Sequence, residues 1–227
     1  MILFLLKSIG LKNIYLTNDV VYELKDKIGS EALEKITSEK KVGIVIAPLI
    51  LKSNEKQEKY KKSIIEYINS IKSKKIDITL IPFQYEYDIN LLKEINNEVN
   101  VKICDIGKDN MWEIIREFKK QDLIIGMRFH SVVLSLILNI PTIPIIYHSK
   151  VYSAVKEFEL EGVAQGVGDG SNWINEDIDS KKMAQDTFNM LSKIEYEKLR
   201  IKNILNNKEN KNKIILEKFI NDSRGII

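Results

Sequence analysis

Apolar runs alternate with helical spacings along almost the whole chain. "NIYL" at 13–16 predicts a short strand, and "VGIVIAPL" at 42–49 a buried one, β-branched and nearly free of polar residues. Tyr60, Ile64, Ile68 and Ile71 then recur at helical spacing and mark one face of a helix. "IDITLIPF" at 76–83 predicts the next strand. Leu91, Leu92 and Ile95 predict a short helix after Asp88, which suits an N-cap. "VKICDI" at 101–106 predicts a strand, and Met111, Ile114, Ile115 and Phe118 the face of the following helix. "DLIIG" at 122–126 predicts a strand, "HSVVLSLILN" at 130–139 a buried helix and "TIPIIY" at 142–147 another strand. Helical patterns dominate from about 150, with two long C-terminal helices expected and a polar bend between them at "NNKENKN", 206–212.

Continuous apolar strands separated by helices mean βαβ units and a parallel sheet covered on both faces. The expectation is one doubly wound, Rossmann-like α/β domain over residues 1–227, with about six strands and C-terminal helices from about 180.

Composition changes this picture little. The chain has 227 residues, 44% hydrophobic and 30% charged, which suits a globular protein with a real core. A net charge of +3 with dispersed lysines makes no case for nucleic acid. The single cysteine, Cys104, excludes an internal disulfide and a cysteine-rich metal site, and fits a reducing, cytoplasmic setting. The apolar start "MILFLLKSIG" is too short for a spanning helix and lacks the form of a signal peptide. It reads as the end of a helix or linker cut from something larger.

Candidate chemistry concentrates in "GMRFHSVVLSLILNIPTIPIIYHSK" at 126–150, which holds both histidines of the chain. Ligands of open α/β sheets bind at the carboxyl ends of strands. Gly126 ends one strand there, and Arg128, His130 and Ser131 start the next helix. Helix N-termini favour anions. Arginine adds a fork for phosphate or carboxylate, and histidine a donor or proton near neutral pH. Tyr147, His148, Ser149 and Lys150 follow the adjacent strand, so two consecutive strand ends would build one anion site. Of these, His148 has the weakest claim, because the residue after a strand end often faces water.

The same residues carry a family resemblance. Arg128-x-His130-Ser131 at a helix start, then Pro141, then Tyr147-x-x-Lys150, resembles the C-terminal signature of the polysaccharide pyruvyltransferases. Asn139 stands where a glycine is commoner, and Phe129 where a leucine is. "LKNIYLTNDVVYEL" at 11–24, with Asp19, resembles the segment leading into that half. The resemblance covers about 11–160.

It implies the C-terminal domain of a GT-B type enzyme whose active site lies between two domains, with the N-terminal domain missing from this chain. The chain would then be an excised domain or a natural short form, with little activity alone. The implied reaction transfers a pyruvyl group from phosphoenolpyruvate to a sugar of a cell-surface polysaccharide or its lipid-linked precursor, forming a ketal. The resemblance makes Arg128 and His130 catalytic, with Arg128 holding the donor anion and His130 acting as acid or as donor to the leaving phosphate. Ser131, Tyr147 and Lys150 would bind substrate. Phosphoenolpyruvate is a substrate in this scheme, and neither cofactor nor metal is expected. The setting would be cytoplasmic, with peripheral association at the inner face of the membrane left open.

Weaker features have plainer readings. "GVGDG" at 166–170 lacks a strong preceding strand and the P-loop Lys-Ser/Thr, and reads as a turn. Gln84, Glu86 and Asp88 lie at the ligand-bearing edge, though Asp88 suits a cap. Trp112 and Trp173 read as packing residues. Two other classes stay open. One is a nucleotide-sugar glycosyltransferase domain with Glu157 or Glu161 on the ribose; the other is a catalytically silent domain that binds an anion or a subunit.

Overall fold

A computed structural model describes residues 39–49, 53–104, 111–167 and 177–207. The segments 13–16 and 11–24, "GVGDG" beyond 167, Trp173 and most of the 206–212 bend lie outside them.

Strand β1, Lys41–Val45, is followed by α1, Asn54–Lys72; β2, Asp77–Leu80; α2, Tyr85–Val99; β3, Lys102–Ile103; and α3, Met111–Lys119. Then come β4, Leu123–Gly126; α4, Phe129–Ile137; β5, Thr142–Ile146; α5, Ser149–Glu157; β6, Gln165–Gly166; and α6, Ser180–Ser192. Residues 194–207 are helical again after a break at Lys193. Among the described residues the sheet is six-stranded, wholly parallel where paired, and ordered β3-β2-β1-β4-β5-β6. The order reverses direction between β1 and β4, the crevice where such folds bind ligands.

Both faces of the sheet are covered. Along β4 the side chains alternate, as a pleated strand requires: Leu123 and Ile125 join the core beneath α1, α2 and α6, and Ile124 joins the core beneath α3, α4, α5 and Ile201. Helix α1 buries Tyr60, Ile64, Ile68 and Ile71, the face its spacing predicts, and Ser53 caps it by accepting from the Lys56 N–H at 3.3 Å.

The structure departs from the sequence pattern in particular places. The sixth described strand is Gln165–Gly166, too short to leave a hydrophobic signature. Strand β1 stops at Val45, although the apolar run continues to Leu49, because Met127 takes over its edge. The Met127 N–H donates to the Val45 carbonyl, and its sulfur accepts from the Ala47 N–H and the Tyr60 hydroxyl at 3.3 and 3.2 Å. Met111 and Trp112, expected to pack, are 48% and 58% exposed at the start of α3. Asp88 is not an N-cap. Gln84 holds that position, and Asp88 lies inside the first turns of α2, fully buried.

The opposite face of the sheet holds a buried acid. Glu117 accepts from Lys120 Nζ at 2.7 Å, with Lys102 Nζ at 3.6 Å. Burial opposes its ionisation, but the two lysines outweigh burial and hold the carboxyl below the ordinary glutamate value. A lowered folded-state value stabilises the fold above the unfolded value, and that contribution is lost as the pH falls. Wild-type stability should therefore drop as the pH falls through about 4.5 and below. Glu117→Gln should have a flatter acid limb in urea unfolding. Coincident limbs would show that Glu117 contributes nothing there. Nearby, burial and then Glu117 push the Cys104 thiol up to about 11, so it is no nucleophile at neutral pH.

Candidate functional site

The turn between β4 and α4 is built by close packing. A Cβ on Gly126 would lie 2.9 Å from Val132 Cγ2 and 3.2 Å from Ser131 Oγ. Glycine lets the helix start directly against the strand end. Arg128 is then the extended N-cap residue of α4, with Phe129 and His130 in the first turn. Gly126→Ala should cost roughly 1–3 kcal/mol through overpacking, since β-branched Val132 cannot easily yield. Thermal unfolding would read this, and an unchanged midpoint would mean the helix start shifts freely.

The other end of α4 explains a departure noted in the sequence. Asn139 has φ 57°, the left-handed region that glycine favours and asparagine tolerates. The Ile140 N–H donates to the Ser135 carbonyl at 2.8 Å and the Asn139 N–H to Leu136 at 2.9 Å, closing a Schellman-type end before Pro141. β5 follows beside β4, with Gly126 opposite Pro144, so the two strand ends are neighbours as expected.

Phe83, Gln84, Arg128, Phe129, His130, Tyr147, Lys150 and Ser153 line a cleft of ≈ 490 Å³. They come from the carboxyl ends of β2, β4 and β5 and from α5, so the cleft straddles the reversal in strand order. Four of the five residues proposed for the site from sequence meet here. Ser131 does not. It is fully buried, and its hydroxyl donates to the Arg128 carbonyl at 2.7 Å, which locks the first turn of α4 instead of facing ligand. Glu157 and Glu161 are absent from the lining.

The two histidines divide. His148 is the N-cap of α5, and its Nδ1 accepts from the Lys150 N–H at 3.2 Å. It shapes the helix start and does not line the cleft. His130 is exposed in the cleft, its ring edge-on to Phe129 at 5.1 Å between centroids. Among the described residues neither its nitrogens nor the Lys150 ammonium has a polar partner.

Arg128 is half engaged. Its Nε donates to both oxygens of Asp88, at 3.2 and 3.1 Å, and its Nη2 to Oδ1. Asp88 reaches back to accept from the Phe83 and Gln84 N–H groups at 3.1 and 2.8 Å. Sequence spacing gave no sign of this pair, because the partners are 40 residues apart on different βα units. Among the described residues no carboxylate lines the cleft. The N-termini of α2, α4 and α5 open beside the cleft at this sheet edge, and their partial positive charge adds to Arg128 and Lys150. That balance of charge among the described residues favours an anion over a cation.

A family model described as polysaccharide pyruvyl transferase matches residues 4–149. No curated protein matches the sequence. Among solved structures, a mutant of S. aureus TarM in complex with Fondaparinux, alpha-GlcNAc-glycerol and UDP is similar in fold, with TM-score 0.52 and 16% identity. That similarity covers 96% of this chain and 41% of TarM. The trehalose-6-phosphate synthase OtsA matches at TM-score 0.48 and 12% identity, over 97% of this chain and 49% of its own. This chain thus spans less than half the length of either structure. At these identities the likeness concerns fold alone.

Proposed function

The chain belongs to the polysaccharide pyruvyl transferase family, and from that premise we propose that its cleft receives phosphoenolpyruvate and supplies the donor half of a ketal-forming site. One observation carries the reading: Arg128, His130 and Lys150 share a cleft that, among the described residues, no carboxylate lines. A donor with a phosphate and a carboxylate requires that balance of charge. The cleft volume falls in the range that holds a small molecule.

The chemistry assigns roles to these groups. A proton must reach carbon 3 of the enol, turning methylene into methyl and leaving carbon 2 electron-poor. A sugar hydroxyl then forms a bond to carbon 2 and loses its proton. The bond from carbon 2 to the phosphate oxygen breaks, phosphate leaves with the electron pair, and a second hydroxyl bonds carbon 2 and gives its proton to the departing phosphate, closing the ketal. His130, exposed and without a competing hydrogen bond among the described residues, suits the acid. The unpaired edge of Arg128 and the Lys150 ammonium suit the anionic groups, whose charge grows on the departing phosphate. Tyr147, which also lines the cleft, suits a role in orienting the carboxylate.

The acceptor is a sugar hydroxyl pair of a polysaccharide or its lipid-linked precursor, bound largely by a second domain that faces this cleft and excludes water. The setting is cytoplasmic, where phosphoenolpyruvate is available. No helix among the described residues is long and apolar enough to cross a membrane.

Calorimetric titration of the chain with phosphoenolpyruvate, and separately with a uridine diphosphate sugar, tests the reading. Binding of the first, weakened by salt and lost in Lys150→Ala, is expected. Binding of the second alone would transfer the chain to nucleotide-sugar chemistry.

A further inference from the structure

We infer that Asp88 is a positioning residue for Arg128, fixing one edge of the guanidinium so that the other is presented to the anion in the cleft. This rests on the cleft being an anion site. The inference begins with distance. Strands β2 and β4 are both neighbours of β1, so they run about 9–10 Å apart. Asp88 stands on the β2 side and Arg128 on the β4 side. Only a long side chain can reach across the end of β1, and the Met127 contacts to Ala47 and Tyr60 hold the residue before Arg128 against that strand end.

The carboxylate is itself held. Oδ2 accepts from the Phe83 and Gln84 N–H groups as well as from Arg128 Nε, and the Asp88 side chain is 0% exposed. Rotating it would strand two backbone donors, so its orientation is set by α2 and the turn before it. The Nε–Nη2 side of the guanidinium meets this fixed carboxylate. Nη1 and the second Nη2 hydrogen remain, and they form the end-on fork that can grip phosphate or carboxylate. Among the described residues that edge has no partner, and Arg128 lines the cleft. A guanidinium already locked in one orientation gives up less freedom when an anion binds.

The charge is matched as well as the shape. One buried negative group behind the arginine cancels part of its attraction for any anion, while Lys150 has no acidic partner among the described residues. Arg128 is thus cast as the geometric contact and Lys150 as the source of net charge.

A double-mutant cycle on the intact chain tests the inference, with phosphoenolpyruvate and inorganic phosphate as probes. Asn at 88 keeps an oxygen for the Phe83 and Gln84 donors, so Asp88→Asn should fold. Neutralising residue 88 also frees more of the arginine's charge, but the lost orientation should outweigh that gain and weaken phosphoenolpyruvate binding roughly tenfold. In an Arg128→Lys background the same change should have no further effect, because the fork it positions is gone. The Arg128 Nε–H resonance should exchange slowly with water in the wild type and in Lys150→Ala, and quickly in Asp88→Asn. Equal losses from Asp88→Asn in both backgrounds, or a wild-type affinity in the single variant, would overturn the inference while leaving the anion reading intact. A wild type that binds neither probe would instead remove the anion reading and the inference with it. If Asp88→Asn does not fold, Asp88→Glu takes its place in the cycle. It keeps the charge but displaces the fork, and the same loss of affinity is expected.

Discussion

Arg128→Ala is expected to destabilise the fold by roughly 3–5 kcal/mol, before any question of ligand arises. Asp88 is 0% exposed, and the arginine is its only cationic partner among the described residues. Truncation leaves a buried carboxylate with two backbone N–H donors and no countercharge. The loss should exceed that of an ordinary surface arginine, which is about 0–1 kcal/mol. Urea unfolding without ligand measures it. The double change Arg128→Ala with Asp88→Asn should recover part of the loss, because it removes the orphaned charge, and residues in such contact are not additive. A single-variant loss under about 1 kcal/mol would mean that water reaches Asp88 and that the pair is weak. The expectation also governs how binding data are read. A fall in phosphoenolpyruvate affinity in Arg128→Ala mixes a lost contact with a loosened turn. Arg128→Lys, which keeps a charge opposite Asp88, isolates the lost fork.

The sequence legibly carries the chain of alternating strands and helices, because β1, β2, β4 and β5 are buried on both faces and so read as continuous apolar runs. The placement of Arg128 and His130 at a strand-to-helix turn follows from Gly126 and the apolar helix after it, and the structure has them there. The likeness to TarM in fold accords with the resemblance to a GT-B C-terminal domain. What the pattern leaves out depends on contacts distant in sequence. Asp88 reads locally as a cap, since an acid near a helix start has that role more often than any other. Only the juxtaposition of two βα units turns it into a buried partner for Arg128. Ser131 reads as a ligand because it follows the motif histidine, but helical geometry turns its hydroxyl back to the Arg128 carbonyl. Trp112 reads as a packing residue from its size, but 58% of it faces solvent at the start of α3. The short β6 is two residues joined to β5 by backbone bonds, and backbone pairing leaves no mark on side-chain pattern.

His130→Ala should act in the opposite way, leaving stability unchanged and, in an enzyme that has both halves of the site, lowering turnover by roughly 10²–10⁴-fold. The side chain is exposed and makes no hydrogen bond among the described residues, and its one described ring contact is with Phe129. Removing it therefore orphans nothing. Its absence should be felt only when a proton has to reach carbon 3, a step that ground-state binding of the donor does not require. The expected signature is a lower kcat with phosphoenolpyruvate affinity within about twofold of wild type, since an interaction made only in the transition state leaves binding alone. His130→Gln sharpens the test. Glutamine can donate a hydrogen bond to a departing phosphate but cannot deliver a proton. Turnover retained in His130→Gln and lost in His130→Ala would make the histidine a donor to the leaving group. Equal loss in both would leave it as the acid. Full turnover in both would move the acid elsewhere in the cleft, with Lys150 and Tyr147 next to be changed. The His148→Ala variant is the internal control. It removes the acceptor for the Lys150 N–H at the start of α5, which should cost about 0.5–2 kcal/mol of stability, as N-cap losses do. Through Lys150 it should shift donor affinity modestly, and its kcat should remain near wild type.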